Sequence, residues 1–95
     1  MIVGVARETS RGERRVSLVP ATVPALVNAG LDVLIEKGAG EHAGYPDSAY
    51  LEKGARIAGS RGDVYSQADI VLRVHANDTN PGELRSGQKL IGFLD

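Results

Sequence analysis

Four arginines crowd one stretch near the front of the chain: Arg7, Arg11, Arg14 and Arg15, with Glu8 and Glu13 among them. A guanidinium fork matches the oxygens of a carboxylate or a phosphate, so one or two of these side chains are candidates for binding such a group. The alternative is a solvated loop in which an arginine pairs with Glu8 or Glu13. Loops at strand ends carry binding residues more often than cores do. Arg15 is the strongest candidate, because the apolar run that begins at Val16 would hold it against the fold.

A second cation of interest is Arg73, set between Leu72 and Val74 in an otherwise apolar segment. A charge in such a strand needs a partner or an outlet to solvent. Near the carboxyl end of the strand it is placed to bind an anionic substrate; on an edge strand it would simply point to water. His75 follows two residues later and shares the Arg73 side if the strand continues, although an exposed loop position is the plainer reading. His42 is the other histidine. Neither has a second ligand at metal spacing, so no metal site is expected. No nucleophile elbow occurs, and Asp63 and Asp69 show no pairing suited to acid–base chemistry. No catalytic residue is therefore assigned.

Gly38, Gly40 and Gly44 resemble a dinucleotide-binding glycine loop, but poorly. The second gap is one residue too long, Tyr45-Pro46 stands where a helix should begin, and the loop follows the second strand instead of the first. A flexible connection is the expectation there.

The elements that must position these residues read as alternating strands and helices. Residues 2–6 are a short β-branched strand. Pro20 opens a helix, Val23, Leu26 and Val27 form its apolar stripe, Pro24 fits its first turn, and Gly30 caps it. Residues 32–36 form the second strand. A short helix follows over 47–53, with Gly54 as its cap. Residues 55–58 are a weak strand, 61–67 a helical turn and 69–74 a confident strand. Asn80, Pro81 and Glu83 carry a helix-start signature with a capping box. Gly87 ends that turn, and 89–94 is the last strand. The pattern implies βαβ units and a parallel sheet, an α/β fold of Rossmann/flavodoxin-like type. With a strand as the last element, an incomplete domain at the front of a larger protein is expected.

The chain has 95 residues, 42 % hydrophobic and 24 % charged, with a formal net charge of −1. That suits one small soluble domain and gives no broad attraction to nucleic acid or membrane. An aromatic fraction of 4 % argues against a base-stacking platform. There is no cysteine, which excludes disulfide and thiol chemistry and fits a reducing compartment. No apolar run has transmembrane length, and the strand pattern at the front is not that of a signal peptide.

The run Arg7-Glu8, then Glu13-Arg14-Arg15-Val16-Ser17-Leu18-Val19-Pro20, then Val27-Asn28-Ala29-Gly30 and Val33-Leu34-Ile35-Glu36-Lys37-Gly38-Ala39-Gly40 resembles a known family. It is similar to the amino-terminal domain shared by alanine dehydrogenase and the α subunit of proton-translocating NAD(P) transhydrogenase. Gly54-Ala55-Arg56-Ile57, Ala68-Asp69-Ile70-Val71-Leu72-Arg73-Val74 and Gly87-Gln88-Lys89-Leu90-Ile91-Gly92-Phe93-Leu94 agree, so the resemblance covers essentially the whole chain. It implies that Arg15 matches an arginine binding the substrate carboxylate in the alanine dehydrogenase branch. It implies that Arg73 stands where that branch has a lysine on the substrate carbonyl, although arginine is not an equivalent point donor. That branch closes its next strand with a catalytic histidine, where this chain has Phe93-Leu94-Asp95. The strand from Gly87 to Leu94 looks more like transhydrogenase.

The transhydrogenase branch is therefore the favoured expectation. It implies hydride transfer between NAD(H) and NADP(H), coupled to proton translocation by a membrane partner. NAD(H) would bind to the parent protein and not to these 95 residues, whose nucleotide-binding domain lies elsewhere and which would be inactive alone. Expected partners are the remainder of the α subunit, the NADP(H)-binding and membrane subunits, and a second copy in a homodimer. The expected location is cytoplasmic, peripheral to the inner membrane, without direct insertion. The alternatives are an alanine dehydrogenase-type amino-terminal domain and a non-enzymatic α/β module pairing through an open sheet edge.

Overall fold

Five short strands, all parallel, form one sheet in a computed structural model that describes residues 1–76 and 81–93. They are β1 (Ile2–Val5), β2 (Asp32–Glu36), β3 (Arg56–Ala58), β4 (Ile70–Arg73) and β5 (Lys89–Gly92), in the spatial order β3-β2-β1-β4-β5. Val5 sits beside Ile35 on one side and Leu72 on the other, which fixes the register at the centre. Among the described residues three α-helices connect the strands: α1 (Val23–Asn28), α2 (Asp47–Glu52) and α3 (Arg61–Gln67). The α/β parallel architecture expected from the pattern is what the chain adopts.

Alternation along each strand decides what covers each face. Val5, Val33 and Ile35 point to one side and pack with Val23 of α1 and Tyr50 of α2. Leu34, Ala58 and Val71 point to the other and meet Val64, Tyr65 and Ala68 of α3 and its end. The chain winds outward through β2 and β3, then α3 carries it back across the sheet to place β4 beyond β1. This reversal leaves a crevice outside the carboxyl ends of β1 and β4, where ligands of open α/β sheets bind.

Gly4 makes the crossing possible. A Cβ there would stand 2.6 Å from Ala68 Cβ and 2.8 Å from Val64 Cγ1, so α3 rests directly on the bare backbone. Helix α3 is a full element: Ser60 Oγ accepts from the Asp63 N–H at 3.2 Å, and Val64 and Tyr65 are buried. Its last carbonyls are capped from a distance, since the side chains of Arg85 and Gln88 both donate to the Tyr65 and Ala68 oxygens.

Several expectations shift at the edges. Helix α1 follows a 3-10 turn at Pro20–Thr22, and Val27 of its stripe is exposed. Strand β4 is interior, which removes the reading of Arg73 as an edge residue pointing to water. Both carboxylate oxygens of Glu83 engage Arg61, and the capping box expected with Asn80 falls on residues outside those described. The proposed cap Asn80, and Leu94 and Asp95 at the end of the last strand, lie outside the described residues.

The 38–44 loop is not a flexible connection. Gly38, Ala39 and Gly40 are buried, the Gly38 N–H donates to Asp47 Oδ1 at 2.9 Å, and a Cβ on Gly40 would meet the Tyr50 ring at 2.7 Å. The loop then enters a 3-10 turn at Glu41–Ala43. It offers neither open glycine amides nor a helix N-terminus, so it does not fit a dinucleotide pyrophosphate.

Candidate functional site

The long connection after β1 arches over the crevice and carries the arginine cluster. Its first anchor is the Arg7 N–H, which donates to Glu36 Oε1 at the end of β2, 2.9 Å away. Its second is Glu8. This carboxylate is almost fully buried and reaches across to β4, accepting from Arg73 Nε at 3.2 Å, the Val74 N–H at 2.9 Å and the His75 N–H at 3.0 Å. Three donors satisfy the charge where water cannot.

Arg73 itself is fully buried at 0 % exposure, on the α3 side of the sheet. Besides Glu8 it donates from Nη1 to the Tyr65 hydroxyl at 3.1 Å. That hydroxyl also faces Arg61, whose guanidinium stands 5.1 Å from the Tyr65 ring centroid and binds Glu83 through Nε at 2.6 Å. A polar chain, Glu8–Arg73–Tyr65–Arg61–Glu83, therefore runs from the buried Glu8–Arg73 pair behind the crevice to the partly exposed Arg61–Glu83 pair.

In front of it lies a second acid–base group. Glu13 Oε1 stands 2.6 Å from Arg15 Nη2 and 2.7 Å from His75 Nε2, while Oε2 accepts from Arg15 Nε and N–H, both at 2.8 Å. The hydrogen bonds from Arg15 hold the Glu13 carboxyl far below the usual carboxylate range. Glu13 is nearly covered, at 5 % side-chain exposure, whereas Arg15 is 61 % exposed and stands at the rim.

Two hollows flank the Gly12–Arg14 part of the loop. The larger, about 640 Å³, is walled by Arg7, Arg14, His42 and Arg61 together with the carboxylates described above. The smaller, about 450 Å³, is bounded by Arg11, Arg15 and His75. Of the two arginines singled out from sequence, Arg15 thus faces the crevice and Arg73 lies behind it. They are linked through the Glu13–His75–Glu8 contacts and not by direct touch. Pairing of a loop arginine with Glu13 was legible in the spacing; the roles of Glu8 and Tyr65 were not. Among the described residues no group of three potential metal ligands assembles, and no helix is long and apolar enough to cross a membrane.

Residues 4–95 match the family model described as the alanine dehydrogenase/PNT N-terminal domain. The chain belongs to this family. Among alanine dehydrogenase/PNT relatives, it is similar to the NAD(P) transhydrogenase subunit alpha of Haemophilus influenzae, 37 % identical over 99 % of this chain and 18 % of that protein. It is likewise similar to alanine dehydrogenase of Mycobacterium tuberculosis, 39 % identical over 99 % of this chain and 26 % of that protein. The solved transhydrogenase from Sinorhizobium meliloti superimposes with a TM-score of 0.82 at 35 % identity, over 97 % of this chain and 27 % of that one. A solved L-alanine dehydrogenase gives 0.85 at 33 % identity, over 99 % of this chain and 26 % of that one. The alanine dehydrogenase/PNT domain described here thus spans between 18 % and 26 % of the length of these curated relatives. The similarity to the two branches is nearly equal.

Proposed function

We propose that residues 1–95 are a single α/β unit, the front part of the amino-terminal domain of an NAD(P) transhydrogenase α subunit. In the parent protein a hydride, two electrons with one proton, leaves NADH for NADP⁺, giving NAD⁺ and NADPH. A membrane partner couples that transfer to proton movement. The parent would be cytoplasmic, held at the inner membrane by the NADP(H)-binding and membrane subunits, and would act as a homodimer. The nucleotide cradle belongs to other residues, since the 38–44 loop does not fit a pyrophosphate. The part of this chain is to present the 6–15 loop, with Arg15 at its rim, as one wall of the nucleotide crevice.

The observation that carries the reading is the burial of Arg73. Oxo-acid chemistry at this strand end wants a cation free to meet a substrate carbonyl. Here the guanidinium is committed to Glu8 and Tyr65 and has no exposure. Arg73 then serves binding from behind, by fixing through Glu8 the backbone of Val74 and His75.

The alanine dehydrogenase reading is favoured by a different observation. Arg15 stands over the smaller hollow with His75 beside it, joined through Glu13, an arrangement able to seat a carboxylate. In that case Arg15 binds the carboxylate of a 2-oxo acid, and NADH with ammonium reduces its carbonyl to an amino acid.

One experiment separates the two. The chain replaces the matching segment of the Haemophilus relative, and the hybrid is assayed both for hydride transfer from NADH to an NADP⁺ analogue and for pyruvate- and ammonium-dependent NADH oxidation. Transfer between nucleotides without response to pyruvate is expected. Pyruvate-dependent oxidation weakened by Arg15→Ala overturns the transhydrogenase reading in favour of the dehydrogenase.

A further inference from the structure

The larger hollow has a charge pattern that neither reading uses. Three carboxylates contribute to its wall, but each is turned to a partner. Glu8 is held by Arg73 and two backbone amides, Glu13 by Arg15 and His75, and Glu36 accepts the Arg7 N–H through Oε1. Arg61, on the same wall, is bound to Glu83. Arg7 and Arg14 differ: both are exposed, both line the hollow, and neither guanidinium has a hydrogen-bond or ion-pair partner among the described residues. The exposed imidazole of His42 lines the same space, and it too has no such partner there.

Ion pairing cancels Glu8 against Arg73, Glu13 against Arg15 and Glu83 against Arg61. What remains facing the hollow is Arg7 and Arg14 against Glu36, an excess of positive charge at the carboxyl end of β1. Two guanidinium forks and an imidazole N–H supply more donors than a carboxylate can accept and suit the three terminal oxygens of a phosphate. The volume, about 640 Å³, leaves room for a small molecule carrying that phosphate. We propose that this hollow is a phosphate-binding site, with Arg7 and Arg14 as its principal ligands and His42 as a third. The site lies on the 6–15 loop of the proposed crevice wall but apart from the Arg15 position, and its test reads phosphate binding by this chain directly, whichever hydride-transfer reading of the parent protein holds.

The test is calorimetric titration of the 95-residue chain at fixed ionic strength with inorganic phosphate and, separately, with adenosine 5′-monophosphate. Saturable binding is expected, weakened about tenfold or more by Arg7→Ala and by Arg14→Ala, as loss of a charge-assisted hydrogen bond implies. Arg56→Ala, on β3 and outside the lining of the hollow, is expected to bind as the parent does. Melting temperatures of the three variants confirm that each stays folded, which the exposure of all three side chains favours. Equal affinity for the two ligands assigns the site to free phosphate, and tighter binding of the nucleotide assigns it to a phosphate ester. Absence of saturable binding by either ligand, or binding indifferent to both Arg7→Ala and Arg14→Ala, overturns the proposal.

Discussion

Glu8 and Arg73 stand 65 positions apart in sequence and meet as a buried ion pair, Oε2 to Nε at 3.2 Å, with side-chain exposures of 3 % and 0 %. The pair joins the first connection of the chain to the strand that returns after the crossover. It is the bond across the point where the winding of the sheet reverses.

Glu8→Gln is expected to destabilise the fold by about 3–5 kcal/mol, because it breaks the buried ion pair with Arg73 by removing one charge from it. Arg73→Met is expected to cost less, and the double variant less than the sum of the two. Urea unfolding of the four proteins gives the coupling directly. Equal and additive losses would show that the pair is not coupled.

Glu13 sets the acid limit of the loop. Its carboxyl is held below the ordinary value of 4.5 by Arg15, so the unfolded chain takes up the proton first as pH falls. Stability from this group is complete above about pH 4.5 and declines as the pH drops towards the depressed folded-state value. In Glu13→Gln the acid limb of a stability–pH curve is expected to be shallower. Unchanged steepness would remove the assignment.

Tyr50 sets an alkaline limit. Burial raises its hydroxyl to about 12 from 10.0, and that hydroxyl donates to the Leu18 carbonyl at 2.8 Å. The unfolded chain loses the phenolic proton first, so stability declines as pH rises beyond about 10. Tyr50→Phe is expected to lose roughly 1–3 kcal/mol at neutral pH, because the Leu18 carbonyl is left buried without its donor. It should also flatten the alkaline decline, as followed by circular dichroism.

Gly4→Ala tests the crossing of α3. The added methyl would overlap Val64 and Ala68, and the helix has to lift from the sheet. A loss of about 1–3 kcal/mol is expected, with faster amide exchange in α3 than in α1. A variant as stable as the parent would mean that α3 can yield without cost.

Much of the fold is legible in the residue pattern because its signals are local. The β-branched runs at β1, β2 and β4 and the glycines after α1 and α2 report on neighbours a few positions away. Gly30 and Gly54 do adopt positive φ, 90° and 102°, at the helix ends where sequence places caps. The Arg15–Glu13 pair, two positions apart, is readable for the same reason.

The rest depended on distance. Arg73 reads as a charge needing either a partner or water, and the sequence around it does not choose. Only the order β3-β2-β1-β4-β5 makes β4 interior, and only then do Glu8 and Tyr65 become its partners. The glycines at 38, 40 and 44 read as freedom, while packing against Tyr50 makes Gly40 a tight fit. Periodicity and turn chemistry fix which elements form, since those energies arise within a few residues. Which buried charges meet is decided by tertiary structure, because a salt bridge spanning 65 residues exists only after the sheet has closed around it.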